Sequence, residues 1–289
     1  MRVTIIGTSG QLATELRRRR WSPGLQQLDV EKVDVADATA LRSLLDRQRP
    51  ELILNASAYT AVDRAETERE RAFAVNEAGP RHLAEWCAEH GAILIHVSSD
   101  YVFDGQKAGP YVESDPTGPV SVYGESKLAG EEAIRRALPR HTILRTSWVF
   151  SAHGQNFVKT MLRLARERDE LKVVADQHGR PTAAADLADA MLRVAERAQA
   201  GSAQFGTFHF ASAESTSWHG FAQAIVTEQA AFTQREPRVT AIGTADYPLP
   251  AKRPQNSVLE TAEFTRSFGL TPRSWRDGLR EVVRELLAT

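Results

Sequence analysis

The first half of the chain alternates short apolar runs with segments of helical spacing. The runs are RVTII (2–6), ELILN (51–55), AILIHV (92–97) and HTILR (141–145), with LQQLD (25–29) as a further strand. Nearly continuous apolar runs of this length are typical of strands that are buried on both faces of a parallel sheet. Parallel strands need helical crossovers, so the alternation predicts an α/β fold with a doubly wound parallel sheet.

From about residue 150 the alternation loosens. We expect a helix at NFVKTMLRLARERDE, a polar loop at ADQHGRPTAAADLADAM, a strand at GTFHF and a helix at SWHGFAQAIVTEQAAF. A Pro-rich, linker-like segment, GTADYPLPAKRPQNSVLE, then precedes a last helix at SWRDGLREVVRELL. We therefore divide the chain into 1–149, which carries the sheet, and a smaller α/β domain at 150–289. The second domain should cover the carboxyl ends of the strands and take the substrate, with some of its segments returning to the first domain.

A glycine turn links the first strand to the first helix. Gly7 and Gly10 follow RVTII directly, a helix is expected to open at about Gln11, and Ala13 is the small third residue of the pattern. Glycines let the backbone approach a pyrophosphate, and a helix N-terminus favours its charge. A glycine pair also occurs in ordinary turns, but the strand–turn–helix context favours a Rossmann-like dinucleotide site.

Three residues are candidates for the adenosine end of such a site. Asp29 ends the second strand about 20 residues after the glycine turn, where an acid can bind the ribose hydroxyls. Asp34 and Val35 lie in the next loop, where an adenine would lie. A solvated Asp at a strand end is the alternative for Asp29. The basic run 17–20 is expected to be a solvated helix end rather than a contact to a 2′-phosphate.

The stretch VSVYGESKLAGEEAI places Tyr123 and Lys127 four residues apart. On a helix these side chains share one face, so a phenol and an ammonium could act on one bound molecule. Ser99 and Asp100 follow the strand AILIHV, at the edge where open α/β sheets bind ligands. Ser99 could hydrogen-bond a carbonyl oxygen while Tyr123 protonates it and Lys127 lowers the phenol pKa. Each residue alone could instead be a cap, a packing residue or a solvated charge.

Composition excludes several other functions. The net charge of −1 and pI of about 6.7 give no reason to expect nucleic-acid or anionic-membrane partners. We find no apolar run near 18 residues and no signal-peptide pattern, so we expect a cytoplasmic protein. The single cysteine, Cys87, is expected to be a buried hydrophobe, and the histidines show no metal-ligand spacing. His96 and His209, inside apparent strands, are expected to be core residues.

These motifs resemble a known family. In chain order GTSGQL, LNASAYTAVDRAE, VSSDYVFDG, VYGESKLAGE, LRTSWVF, DQHGRPT and RPQNSVL are similar to the extended short-chain dehydrogenase/reductases, and within them to the dTDP-4-dehydrorhamnose reductases. The resemblance implies reduction of the C4 ketone of dTDP-4-dehydro-6-deoxy-L-lyxo-hexose. The reductant would be NADPH, with NADH also possible. The product would be dTDP-L-rhamnose, in the last step of its biosynthesis. The resemblance covers nearly the whole chain.

The same resemblance implies a role for each matching residue. Ser99, Tyr123 and Lys127 would be catalytic, and Tyr123 and Lys127 would also touch the cofactor. Further cofactor contacts would come from Gly7, Gly10, Gln11, Leu12, Asp29, Asp34, Val35, Ala58, Tyr59, Thr60 and Val97. Substrate contacts would come from Ser99, Asp100, Trp148, Arg253 and Asn256. Chemically, Trp148 offers a flat apolar wall to a deoxysugar and Arg253 a cation for a diphosphate, although core packing and a solvated charge are the alternatives.

Of three other functions, the sequence disfavours the first, and the other two stay open. A sugar-nucleotide 4,6-dehydratase would need an acid at Tyr101, and a phenol cannot replace a carboxylic acid near neutral pH. A reductase that makes another 6-deoxy-L-hexose, such as talose, would differ only in pocket shape. A non-catalytic nucleotide-binding regulatory subunit would not need the Ser–Tyr–Lys set. We expect a monomer or homodimer without a metal, because Ala185 stands where some relatives have a second acid to pair with Glu15.

Overall fold

The structure is a computed structural model that describes residues 1–29 and 31–288. Its helices are α1 (Gln11–Arg18), α2 (Ala38–Gln48), α3 (Val62–Ala65), α4 (Arg69–Phe73), α5 (Gly79–His90), α6 (Val122–Ala137), α7 (Phe157–Glu167), α8 (Ala184–Gln199), α9 (Trp218–Thr233), α10 (Ala262–Phe268) and α11 (Trp275–Leu287). Its strands are β1 (Arg2–Ile6), β2 (Gln26–Gln27), β3 (Leu52–Asn55), β4 (Ile93–Ser99), β5 (His141–Thr146), β6 (Val149–Phe150), β7 (Glu170–Val174), β8 (His178–Gly179), β9 (Thr182–Ala183), β10 (Gly206–His209), β11 (Thr216–Ser217) and β12 (Arg238–Ile242).

The centre of the molecule is a six-stranded sheet in the order β10-β5-β4-β3-β1-β2, and every neighbouring pair is parallel. The predicted fold class is therefore confirmed. The strand order reverses next to β1, because β2 lies on one side of it and β3 on the other. In doubly wound sheets the carboxyl ends of the strands at such a point form the ligand-binding crevice.

Alternate residues of the central strands bury themselves against opposite helical layers. Val3, Ile5, Leu52 and Leu54 pack with residues of α1, α8 and α10. Ile6, Ile53 and Leu94 pack with residues of α2, α5 and α6. Both faces are thus covered, which explains why these strands read as continuous apolar runs.

Two expectations about secondary structure are wrong. The second strand is only Gln26–Gln27, shorter than the expected 25–29. The expected polar loop at 175–191 ends earlier, because α8 begins at Ala184. The helix buries Leu187 and Met191, one turn apart, against the sheet layer. The buried apolar stripe of α8 continues beyond residue 191, outside the segment that we expected to be a loop. Because the first half of that segment is polar, the helical periodicity was not recognised.

A second core lies among α7, α9 and α11, next to the parallel pair of β7 and β12. Its largest fully buried side chain is Trp275. Two segments beyond residue 150 pack with the large sheet instead: β10 pairs with β5, and α8 packs on α1. The division into 1–149 and 150–289 stays a prediction.

Three findings concern chemistry outside the candidate site. Cys87 is a buried free cysteine, and burial raises the pKa of its thiol to about 12. Within residues 1–29 and 31–288, His, Cys, Asp and Glu side chains form no group of three that could hold a metal ion. No helix in that part of the chain combines the length and the hydropathy needed to cross a membrane.

Candidate active site

The glycine turn opens onto a cavity. Gly7 has φ of +114°, which favours glycine, and a Cβ there would lie 3.2 Å from the carbonyl carbon of Ala56. Gly10 is the N-cap of α1, and a Cβ built on it meets no atom within 4 Å. A side chain at Gly10 would therefore enter open space above the first turn of α1, where unpaired backbone N–H groups point outwards.

The cavity has a volume of about 600 Å³ and lies at the carboxyl ends of β1, β3, β4 and β5. This volume is within the roughly 300–1,000 Å³ that is usual for ligand sites. It is lined by Ser9, Gly10, Gln11, Leu12, Ala56, Ser57, Ala58, Thr60, Val62, Val97, Ser98, Ser99, Asp100, Tyr101, Tyr123, Lys127, Thr146, Trp148, Val149, Gly154, Gln155, Asn156, Leu187 and Trp218.

The structure brings Ser99, Tyr123 and Lys127 together on the wall of this cavity. Ser99 is the last residue of β4, and the other two lie one turn apart on α6. The helix begins where it does because the Ser121 side chain accepts a hydrogen bond from the Gly124 N–H at 3.2 Å. Tyr123 and Lys127, in the first two turns of α6, line the same cavity as the end of β4.

Lys127 is 2% exposed, although it lines the cavity. Its Nζ donates to the Val97 carbonyl oxygen at 2.7 Å and lies 3.3 Å from Nε2 of His96. Burial lowers the pKa of Lys127 to about 8, partly opposed by the charge of Glu131. The ammonium is therefore less stable here than in water.

Two acids with raised pKa values line the same cavity as Lys127. Burial raises the pKa of Tyr123 to about 12, and the adjacent Ser99 hydroxyl partly offsets this. Burial also raises the pKa of Asp100 to about 7. The Ser99 hydroxyl donates to Oδ1 of Asp100 at 2.9 Å and accepts from the Tyr101 N–H at 3.1 Å. Perturbed groups that converge on a cleft are typical of an active site.

Sequence reasoning missed Asn76, which lies in a π-helical turn at 74–78 between α4 and α5. Its Oδ1 accepts from the Tyr59 N–H at 2.8 Å, and its Nδ2 donates to the Tyr59 carbonyl and the Ser126 hydroxyl, each at 3.0 Å. This buried side chain therefore fixes the loop after β3 to α6. π-turns within helices often occur at functional sites, but no pattern in the sequence indicated this one.

Trp148 has a partner that the sequence analysis did not identify. Its ring stacks on Trp218, the first residue of α9, with centroids 3.6 Å apart and planes 7° from parallel. Trp148 has φ of +49°, an uncommon conformation for a bulky residue. A Cβ on Gly179 would lie 2.5 Å from the Trp148 ring, so a glycine is needed beneath it.

Gln11 connects the glycine turn to the segment that follows β6. Its Oε1 accepts from the Asn156 side chain at 2.9 Å and from the Ser151 hydroxyl at 3.1 Å. Leu12 lines the cavity beside it. The N-terminus of α1 is thus held against residues from beyond position 150.

The remaining cofactor candidates occupy two places. Ala58, Thr60 and Val97 line the cavity, and the backbone of Tyr59 is held by Asn76 while its hydroxyl donates to Glu68 at 2.7 Å. Asp29, Asp34 and Val35 lie outside the cavity lining, after β2. Asp29 and Asp34 are exposed, and Val35 is buried against Gly79 of α5. A hydrogen bond from the Ala36 N–H lowers the pKa of Asp34, which also pairs with Arg71 at 2.9 Å.

The last two substrate candidates do not line the cavity. Asn256 donates to the carbonyl oxygens of Lys107 and Gly109, at 2.7 and 2.9 Å, so its amide holds a loop. Arg253 pairs with Asp63 at 2.8 Å and lines a separate cavity of about 720 Å³. Asp63 also accepts from the Ala251 N–H at 3.2 Å, so it connects α3 to the Pro-rich segment.

A doubly wound parallel sheet, a glycine turn at the N-terminus of α1 and a Ser–Tyr–Lys set on one cavity define the extended class of short-chain dehydrogenases and reductases. Comparison with known proteins agrees. Residues 1–288 match the family described as RmlD substrate binding domain. A dTDP-4-dehydrorhamnose reductase of Sinorhizobium fredii is 45% identical over 99% of this chain and 98% of its own.

Solved structures give the same result. A dTDP-4-dehydrorhamnose reductase of Clostridium acetobutylicum is 35% identical, with a TM-score of 0.89 and complete coverage of both chains. That of Bacillus anthracis, in complex with NADP, is 33% identical, with a TM-score of 0.88 over 98% of this chain and 99% of its own. The chain belongs to the dTDP-4-dehydrorhamnose reductase family.

Proposed function

We propose that this chain reduces the C4 ketone of dTDP-4-dehydro-6-deoxy-L-lyxo-hexose to dTDP-L-rhamnose, with NADPH as the reductant and NADH as a possible substitute. The observation that carries this proposal is that Ser99, Tyr123 and Lys127 meet on the cavity that the glycine turn opens, in a chain similar to these reductases over its whole length. The names of the relatives support an enzyme of this pathway.

The residues present fit a nicotinamide cofactor. The open space at Gly10 can take a pyrophosphate at the N-terminus of α1, where backbone N–H groups and the helix dipole favour negative charge. The Thr146 hydroxyl is buried on the cavity wall without a hydrogen-bond partner among the described residues. We assign Asp29 and Asp34, with the packing of Val35, to the adenosine end. When bound, the cofactor supplies the hydride that reduces the ketone.

The protein's own task is to supply a proton and hold the carbonyl. Tyr123 donates its phenolic proton to the sugar C4 oxygen as negative charge develops there. The ammonium form of Lys127 lowers the pKa of that phenol and so makes it a stronger acid. The Ser99 hydroxyl turns from Asp100 towards the same oxygen and donates a second hydrogen bond.

The sugar nucleotide would lie between the two parts of the chain. Trp148, supported by the stacked Trp218, offers a flat apolar surface to the deoxysugar. Asp100 can accept a hydrogen bond from a sugar hydroxyl. Arg253 would contact the diphosphate, either after its ion pair with Asp63 breaks or while it keeps that pair. Asn256 would act on the nucleotide side by shaping the loop at 105–109.

Two alternatives are distinguished by the site. Dehydration needs a carboxylic acid near Tyr101, and burial raises the pKa of that phenol further above its usual value. A non-catalytic regulatory subunit would not require a buried lysine beside a buried phenol. A talose-forming reductase would share every residue named here, so the product must be identified.

The test is a coupled assay. dTDP-glucose, a 4,6-dehydratase and an epimerase generate the keto sugar, and the purified chain is then added with NADPH. We expect loss of NADPH absorbance in step with formation of dTDP-L-rhamnose. No oxidation of NADPH, or formation of the talose isomer, would reject the proposal.

We propose that the chain acts as a monomer or as a homodimer. The measurement is the specific activity across a dilution series monitored by light scattering. We retain the cytoplasm as the location, since NADPH and sugar nucleotides are metabolites of that compartment.

A further inference from the structure

Three buried polar side chains form a row beneath the proposed active site. Asn55 ends β3, His96 lies beside it on β4 in direct register, and Lys127 lies on α6. Asn55 and His96 are 0% exposed and Lys127 is 2% exposed. Asn55 Nδ2 lies 2.9 Å from His96 Nδ1, and His96 Nε2 lies 3.3 Å from Lys127 Nζ.

The backbone fixes the orientation of the first member. The Ser57 N–H, which can only donate, lies 3.1 Å from Oδ1 of Asn55, and the Ser57 hydroxyl donates to the same oxygen at 2.6 Å. Oδ1 must therefore face Ser57, and the Nδ2 amide, which also can only donate, must face His96. Nδ1 of His96 is then the acceptor.

This orientation decides where the histidine carries its proton. Burial and the nearby charge of Lys127 hold the pKa of His96 well below its usual value, so the ring is neutral. A neutral ring with an accepting Nδ1 carries its hydrogen on Nε2. That N–H faces Nζ of Lys127, and an ammonium has no lone pair with which to accept it.

The other groups around Lys127 do not change the fact that two hydrogen-bond donors, Nε2–H of His96 and the ammonium of Lys127, face each other. Val97 O accepts one ammonium hydrogen at 2.7 Å. Glu131 on α6 favours the ammonium, but Arg145 of β5 holds both its oxygens, at 2.8 and 2.9 Å. His141 of β5 acts by its charge on His96, and Tyr123 of α6 and Asp100 after β4 line the same cavity as Lys127. The neutral Asn76 of the π-helical turn bonds Ser126, the residue before Lys127.

We propose that His96, with its proton held on Nε2 by Asn55, is a positioning residue that weakens the ammonium form of Lys127 and so sets the upper pH limit of the reaction. The inference rests on the proposed function, in which the ammonium makes Tyr123 a stronger acid. Above the pH at which Lys127 loses its proton, the phenol becomes a weaker acid and the rate falls.

The first test reads the tautomer without any turnover. Long-range ¹H–¹⁵N spectra of the full chain with ¹⁵N-labelled histidine separate Nε2–H from Nδ1–H rings, and His96→Leu identifies the signal. We expect Nε2–H at His96 between pH 6 and 8, with Nδ1 unprotonated. An Nδ1–H ring or an imidazolium in this range would overturn the proposal.

The second test is the pH profile of kcat. Removal of the Nε2–H in His96→Leu should move the alkaline limb up by about one pH unit, with kcat at pH 6.5 retained within about threefold. Asn55→Asp is a second variant, because a carboxylate accepts from Nδ1–H and turns the Nε2 lone pair towards Lys127. It should move the limb in the same direction while it keeps both contacts to Ser57.

His209→Leu is the matched control, since His209 is also buried in a strand but faces the Tyr111 carbonyl and Arg145. The alkaline limb of the kcat profile of His209→Leu should lie at the same pH as that of the wild type. An unmoved limb in His96→Leu, or in Asn55→Asp when its spectrum shows Nδ1–H, would overturn the proposal. An inactive wild-type chain would instead count against the proposed function, and the spectra would still test the tautomer.

Discussion

At the scale of single residues, the phenol of Tyr123 is a weak acid in the free protein, because burial raises its pKa to about 12. A positioned acid of this kind still contributes roughly 10²–10⁴-fold to a rate. The residue matters chemically only if its proton reaches the C4 oxygen. Its hydroxyl and its ring can be tested separately by substitution.

Tyr123→Phe should lower kcat by about 10²–10⁴-fold, because the ring stays and the proton donor is lost. The loss of one hydroxyl should cost only about 1 kcal/mol of stability. Single-turnover kinetics and thermal unfolding measure the two effects. Tyr111→Phe is the matched control: it removes a phenol that bonds Asp104 outside the cavity, and it should retain kcat. A Tyr123→Phe enzyme with more than about a tenth of wild-type kcat, with chemistry rate-limiting, would remove Tyr123 from the mechanism.

Asp100 should make folding depend on pH. Its folded pKa of about 7 lies above the ordinary value of 3.8, so its favourable contribution is complete below about pH 4 and is lost as the pH rises through 7. Asp100→Asn should therefore reduce the loss of stability between pH 4 and 8 by a few kcal/mol, since one pKa unit corresponds to about 1.4 kcal/mol. Denaturant unfolding at both pH values measures this.

Asp104→Asn provides a control of opposite sign. The hydrogen bond from Tyr111 lowers the pKa of Asp104, so its contribution is present above the ordinary pKa of 3.8 and is lost on acidification. Its removal should lower stability more at pH 8 than at pH 3. The same slope for Asp100→Asn and the wild type would show that Asp100 does not titrate as proposed.

At the scale of elements, the site depends on how closely α6 approaches the π-helical turn at 74–78. A Cβ on Gly130 of α6 would lie 2.0 Å from the Asn76 carbonyl oxygen. Real side chains do not tolerate such a contact with backbone, so one of the two elements would have to shift. Because α6 carries Tyr123 and Lys127, that shift would reach the site.

Gly130→Ala should thus destabilise the fold by roughly 1–3 kcal/mol, although alanine normally favours helices, and it should lower kcat/KM. Gly109→Ala, whose added Cβ meets no atom within 4 Å, should change stability by less than about 0.5 kcal/mol. Thermal unfolding of both variants with steady-state kinetics is the measurement. Wild-type stability in Gly130→Ala would show that the two elements are not in close contact.

The elements also show what a sequence can predict. Local sequence patterns indicated the parallel strands, the glycine turn before α1 and the placement of Tyr123 and Lys127 on one helix, and the structure has all three. Asn76 could not be found in this way, because it bonds Tyr59 and Ser126, 17 and 50 positions away. We expected His96 to be a core residue, because its contacts to Asn55 on β3 and Lys127 on α6 can be recognised only once the fold is known.

At the scale of the whole molecule, the glycine turn and the strand ends that form most of the cavity lie before residue 150. Trp148 and Trp218 join that region to the second core. In the proposed site, the cofactor would therefore contact mostly residues before position 150, whereas the sugar nucleotide would need residues from both parts of the chain.

We expect NADPH to bind before any sugar nucleotide. Isothermal titration calorimetry of the free chain should detect NADPH binding, and dTDP should alter the affinity without being required. Gly10→Val should abolish the NADPH signal, because its side chain would fill the space above α1. NADPH binding that appears only after addition of dTDP would reverse the proposed order.

The most direct test of the proposed reaction follows the transferred hydrogen. The keto sugar is incubated with the chain and with NADPH that carries deuterium at the transferring position, and the product is examined by NMR. We predict dTDP-L-rhamnose with one deuterium, at C4 of the hexose. Deuterium at another carbon, the talose isomer, or an unreacted ketone would contradict it.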